Sequence, residues 1–167
     1  GHSMIISNNK IIKYYKYYKP KKTKIFSNVN EIIQEARIKL LKSVKIRMRS
    51  DVPVAFCLSG GVDSASLVSI ASKELGIKTK TFSIVDTDPR YDESDNILAT
   101  IEDTQCDNQM IKLENINFVD HLKSLIKYHS SPISTISYFV HSLISREASE
   151  QGYKVIVSGT GADEIFT

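Results

Sequence analysis

The chain has 167 residues, 41% of them hydrophobic, and a net charge of +3. That is one domain's worth of chain, with enough apolar content for a sizeable core, no apolar run of transmembrane length and no expected signal peptide. Two cysteines, Cys57 and Cys106, make no disulfide framework, and the absence of a Cys-x-x-Cys pair or His cluster argues against zinc and iron–sulfur centres, so a reduced, cytoplasmic setting is expected.

Charge is unevenly spread: residues 1–50 hold 13 Lys/Arg against 2 Glu, and residues 51–167 hold 9 against 17 Asp/Glu. Gly1-His2-Ser3-Met4 reads as a cloning scar, and 5–28 as a basic linker or strand remnant. The run from Lys10 to Lys22 interleaves Lys with Tyr14, Tyr15, Tyr17 and Tyr18. Such interleaving can bind nucleic acid. Tyr pairs also suit a half-buried strand. We read the run as a strand or linker that leans on a neighbour, and nucleic acid is not an expected partner.

From Val29 to Met48, apolar residues at 29, 33, 36, 40, 44 and 48 have helical spacing. Asp51-Val52-Pro53 ends that helix. Strand Val54–Leu58, helix Ser64–Leu75, a turn at Gly76 and strand Thr79–Val85 follow. Asp92 or Ser94 is placed to cap a helix running towards Thr104. A short strand Gln109–Leu113, a helix Phe118–His129, an interruption at Pro132, a helix Ser137–Gln151 ending at Gly152, and a strand Lys154–Val157 complete the pattern. Strands alternating with helices predict an α/β fold: a parallel sheet with helices on both faces.

Between the first two units lies Ser59-Gly60-Gly61-Val62-Asp63-Ser64, a glycine turn from a strand into a helix. Such a turn aims backbone N–H groups at one spot, where the helix dipole adds partial positive charge. Glycines let the backbone approach an anion closely, and Ser59 and Ser64 add hydroxyls. Asp63 would repel a phosphate unless a divalent cation lay between them. The local chemistry reads as a phosphate and Mg²⁺ site. It is not a Walker A loop, since no Lys follows the glycines.

A second motif closes the chain. The apolar run Val155-Ile156-Val157 leads into Ser158-Gly159-Thr160-Gly161-Ala162-Asp163-Glu164-Ile165-Phe166, again a Ser/Gly turn, with carboxylates placed for a first helical turn. Both motifs fall at strand carboxyl ends, where parallel sheets bind ligands.

The first motif resembles the PP-loop of the ATP pyrophosphatases, whose fold is adenine-nucleotide alpha-hydrolase-like. Both motifs together, with Arg49–Val54 and Tyr91-Asp92-Glu93-Ser94, resemble the synthetase domain of the glutamine-hydrolysing asparagine synthetases. The resemblance spans about Val29 to Phe166. It implies an ATP-dependent ligase that adenylates a carboxylate for amidation by ammonia, releasing AMP and pyrophosphate. It implies that Ser59, Gly60, Gly61, Val62 and Ser64 hold the pyrophosphate, and that Leu58 and Ile84 hold the adenosine, with Ser158 and Gly159 opposite. Asp63, Asp163 and Glu164 would be the catalytic carboxylates, with Asp63 and Asp163 holding Mg²⁺.

Two positions depart from that family. Thr160 stands where the family has Glu, and Thr neither carries charge nor acts as a base. The stretch Ser130–Tyr138 lacks the Arg that the family uses towards aspartate. Aspartate and related carboxylates therefore both stay open as acceptors. The family's glutaminase half uses an N-terminal Cys, and no Cys precedes Cys57, so a glutaminase domain in the parent protein is the expected partner. The expected organisation makes 29–167 the N-terminal part of a synthetase domain that stops before the family's closing helices. Homodimer formation, a binding module without turnover and other PP-loop ligases stay open.

Overall fold

The computed structural model describes residues 1–21, 28–113 and 117–166. The chain divides into two compact units, Gly1–Ile38 and Lys39–Thr167. In the first, strands β1 (His2–Ser7) and β2 (Lys10–Lys16) pair antiparallel, with Ser7 opposite Lys10. Asn8 and Asn9 turn the hairpin with φ of 47° and 58°, the doubly left-handed conformation whose twist matches the flanking strands. The stretch expected as a linker or strand remnant thus holds the larger part of a hairpin, which starts among the residues read as a cloning scar. Its isoleucines and tyrosines are exposed on both faces, which is why no core pattern showed in the sequence. Residues 22–27, including Lys22 at the end of the Lys/Tyr run, lie outside the described residues.

Helix α1 (Val29–Arg47) opens with the Asn28 side chain accepting the Glu31 N–H at 2.9 Å. Only Val44 of its apolar stripe is buried, while Val29 and Ile33 at its start are exposed.

The second unit carries four parallel strands in the order β5-β4-β3-β6: β3 (Val54–Cys57), β4 (Lys80–Val85), β5 (Asp107–Lys112) and β6 (Val155–Val157). Ala55 lies opposite Lys80 on one side and Ile156 on the other. The remaining helices are α2 (Val62–Ser69), α3 (Ser94–Thr104), α4 (Phe118–His129), α5 (Ile136–Glu150) and the short α6 (Asp163–Phe166). The period of two in the strands sorts the core. Phe56 and Leu58 pack with Val44, Val68, Ala71 and Ile97 on one face, and Ala55 and Phe82 pack with Ile144 and Ala148 on the other. Helices therefore cover both faces, as expected. Among the described residues no helix is long and apolar enough to cross a membrane.

Helix α2 starts two residues earlier than expected, at Val62, and widens after Ser69 into a π-helical turn, Ile70–Glu74. There Leu75 N–H reaches Ile70 O at 3.1 Å. Gly76, with φ of 65°, then ends the helix in a conformation that side chains disfavour.

The order of the strands has one consequence for the site. From β3 the chain runs to β4 and β5 on one side, then returns to lay β6 on the other. The loops leaving β3 and β6 therefore diverge at a switch point, where a crevice opens at the carboxyl edge.

Candidate active site

The loop after β3 is built around the Ser64 hydroxyl, which is nearly buried. It accepts the Ser59 N–H at 3.1 Å and lies 2.9 Å from the Ser59 hydroxyl oxygen. The Ser59 and Gly61 carbonyls lie 3.1 and 3.0 Å away. A hydroxyl has one proton, so it donates to one of these at a time. The Ser59 hydroxyl oxygen in turn accepts the Gly61 N–H at 3.3 Å. Both serines therefore shape the turn. Because α2 begins at Val62, Asp63 sits in its first turn, where N–H groups lack helical acceptors and the dipole favours negative charge. Past the end of β3, Leu58 N–H continues the ladder to Phe82 O at 2.9 Å and sets Leu58 beside β4.

The loop after β6 folds on itself. The Ser158 and Thr160 hydroxyl oxygens are 2.7 Å apart, and Thr160 N–H donates to Ser158 Oγ at 3.2 Å. Gly161 turns with φ of 96°, and Asp163 and Glu164 open α6. The two loops meet at Gly159. A Cβ added there would stand 3.0 Å from the Asp63 Cβ and 3.0 Å from the Ser64 nitrogen.

Together they wall a cavity of about 530 Å³. From the first loop come Leu58, Ser59, Gly61, Asp63 and Ser64; from the second, Ser158, Gly159, Thr160, Asp163 and Glu164. Ile84 comes from β4. Two expected site residues stand elsewhere. Gly60 N–H donates to the Glu93 carboxylate at 2.8 Å, and Gly60 is not on the cavity wall. Val62 is exposed and faces a second, apolar cavity of about 690 Å³ with Leu40, Val44 and Leu67. As the first residue of α2, it points towards the α1 side.

The wall also holds residues that received no role from the sequence. Asp86, Tyr91 and Glu93 line it after β4, and Val140, His141 and Ile144 line it from α5. Asp86 follows a strand carboxyl end and was legible by that rule. His141 and Ile144 share a helix face by their spacing, but nothing local says which face meets a ligand. Cys57 is half-buried and on the wall; burial pushes its thiol up to about 11. Beside Glu93, the Ser94 hydroxyl and then the Ser94 N–H hold the Asp92 carboxyl below its ordinary value.

The carboxylates on the wall are hard oxygen donors. Among the described residues no group of three or more His, Cys, Asp or Glu makes a metal site of its own. One or two carboxylates completed by substrate phosphates is the usual protein share of a Mg²⁺ site, and Asp63 with Asp163 fits it.

A family model described as Asparagine synthase matches residues 35–167. Asparagine synthetase (glutamine-hydrolyzing) 1 of Bacillus subtilis (strain 168) is 28% identical over 166 residues, covering 99% of this chain and 26% of that protein. Amidase chyE of Penicillium rubens is 29% identical over 150 residues, covering 81% of this chain and 22% of that protein. This chain thus spans about a quarter of the length of these curated relatives. Among solved structures, the NH3-dependent NAD synthetase from Campylobacter jejuni subsp. jejuni, in complex with the nitrate ion, superposes with a TM-score of 0.54 at 16% identity, covering 79% of this chain and 58% of that one. The sheet and its flanking helices are of the PP-loop ATP pyrophosphatase fold. With a match that takes in both glycine loops and every strand of the parallel sheet, the chain belongs to the asparagine synthase family.

Proposed function

We propose that this chain is the nucleotide-binding part of an ATP-dependent amidotransferase synthetase. It adenylates a carboxylate, aspartate or a related acceptor, by attack of a carboxylate oxygen on the α-phosphorus with pyrophosphate leaving. Ammonia then attacks the acyl carbon and AMP departs. The observation that carries this reading is the junction of the two glycine loops, Gly159 against Asp63 and Ser64, at the switch point of the sheet.

In that reading Leu58 and Ile84 line the adenosine, and the polyphosphate lies along Ser59, Gly61 and the N-terminus of α2. Asp63 and Asp163 hold Mg²⁺, which supplies charge neutralisation to the departing pyrophosphate. Glu164 sits with Asp163 in the first turn of α6, on the same cavity wall. The family supports ATP-dependent ligation. We infer that a glutaminase domain of the whole protein supplies the ammonia and that the protein works in the cytoplasm.

A second reading, nucleotide binding without turnover, draws on Thr160. Its hydroxyl is engaged with Ser158, and it offers no charge at the acyl centre. Titration calorimetry with Mg·ATP and AMP tests the shared part of both readings. A well-folded chain that binds neither at millimolar concentration rules out the site.

A further inference from the structure

Segment Tyr91-Asp92-Glu93-Ser94 carries family resemblance but no role in the chemistry above. In the structure it forms the entrance to α3, with Glu93 at the cap position. Its main chain is held from both sides. Asp92 Oδ1 accepts the Ser94 N–H at 3.0 Å, and Ile97 N–H donates to Glu93 O at 3.1 Å, with Ile97 fully buried. A carboxylate on so fixed a backbone is aimed rather than free to wander. Its target is the Gly60 N–H, at 2.8 Å.

Gly60 is packed tightly against the same turn. A Cβ there would stand 2.7 Å from the Glu93 Cβ, 3.1 Å from the Asn96 Cβ and 3.2 Å from Glu93 O. Its φ is not in the left-handed region, so close approach to α3 is what requires glycine here. Gly60 is off the cavity wall while its neighbours Ser59 and Gly61 are on it. The Gly60 amide is thus given to Glu93 at the start of α3.

We propose that Glu93 is a positioning residue of the phosphate loop. Its carboxylate ties Gly60 to the start of α3 and so sets where Ser59, Gly61 and Asp63 face the cavity. Hydrogen bonds to a charged acceptor are the stronger kind, suited to fixing a glycine-rich turn that would otherwise sample many conformations. What the loop then grips rests on the nucleotide reading; the tie itself does not.

The test compares the 167-residue chain with Glu93→Gln and Glu93→Ala. Three quantities are read: the Gly60 amide resonance by NMR, the affinities for Mg·ATP and AMP by calorimetry, and the midpoint of thermal unfolding. Glu93→Ala is expected to shift the Gly60 amide proton upfield and to weaken Mg·ATP about tenfold. AMP, which lacks the β and γ phosphates, should bind within about twofold of the parent chain. Glu93→Gln keeps an acceptor oxygen and should recover Mg·ATP to within about threefold. The proposal is overturned if Glu93→Ala binds Mg·ATP like the parent, if Gln is as weak as Ala, or if ATP and AMP affinities fall together with the unfolding midpoint. Should the parent chain bind neither nucleotide, the nucleotide reading fails by itself. The Gly60 amide then decides the tie, and an unmoved resonance in Glu93→Ala overturns it.

Discussion

Gly159 rests directly on Asp63: a Cβ added to Gly159 would stand 3.0 Å from the Asp63 Cβ and 3.1 Å from its carbonyl carbon. One motif is thereby a packing surface for the other, and the cavity between them exists only while both loops hold their shape. Of the atoms a Gly159→Ala methyl would meet, two are backbone, the Ser64 nitrogen and the Asp63 carbonyl carbon, and backbone at a helix start gives way poorly. Overpacking of this kind costs about 1–3 kcal/mol. Gly159→Ala should lower the urea midpoint accordingly and weaken both Mg·ATP and AMP, because the whole junction widens. Parent-like stability and binding in this variant would mean that the two loops are not in contact in solution.

Asp63 allows a cleaner separation of fold from ligand. Asp63→Ala keeps the Cβ that touches Gly159 and removes only the carboxylate. Stability should change little. Mg·ATP should weaken about tenfold or more, while AMP, which needs no pyrophosphate metal, changes by about twofold or less. A magnesium titration at fixed ATP reads the same point, since the variant should lose most of its dependence on the ion. Equal losses for ATP and AMP would move Asp63 from the metal to the adenosine.

Much of this arrangement is legible in the sequence, for reasons that can be named. Helix α4 spans Phe118–His129 as expected, because Asn117 caps Asp120 N–H and Ser130 ends the helix at φ of 52°; both signals are local. The parallel sheet is legible because its strands are short apolar runs bounded by turns. The hairpin is not, because Asn8 and Asn9 bring positive φ but the strands around them bury neither face. Nor is the π-turn after Ser69, which no local residue preference marks. The departure at Gly60 has a different origin. A glycine in a phosphate loop reads as an anion contact, yet this one is glycine because Glu93, 33 residues on, packs against it. Only the tertiary structure separates those two reasons.

Cys57 provides a pH-dependent reporter. Burial raises its thiol from 9.0 to about 11, so the folded state keeps its proton where the unfolded state loses it. The sign follows: this contribution to stability is fully present below pH 9 and is lost as pH rises towards 11. At pH 9 a thiol with that value is only about one per cent thiolate, the reactive form. Alkylation of Cys57 by iodoacetamide should therefore run far slower in the folded chain at pH 8–9 than in urea, and should accelerate steeply above pH 10. Because Cys57 also lines the cavity, saturating Mg·ATP should slow it further. Peptide mass spectrometry separates it from the more deeply buried Cys106. Rapid alkylation of folded Cys57 at pH 8 would contradict its raised value.

The last prediction concerns turnover, where Thr160 matters most. Each step needs something different: adenylation needs the acceptor held in line with the α-phosphorus, and amidation needs ammonia at the acyl carbon. Thr160 shares its hydroxyl with Ser158 at 2.7 Å, a neutral pair where the family resemblance implies a carboxylate, and the Ser130–Tyr138 stretch offers no Arg to an acceptor's second carboxylate. The 167-residue chain should therefore show little exchange of labelled pyrophosphate into ATP with aspartate, although it binds Mg·ATP. Exchange with another carboxylate, and not with aspartate, would identify the acceptor class directly. Thr160→Glu separates the remaining alternatives. A gain of exchange with aspartate would make the missing carboxylate the cause. If exchange stayed absent while binding persisted, the acceptor side of the cavity would be the deficit. Robust exchange with aspartate from the unaltered chain would falsify the view that Thr160 disables this step.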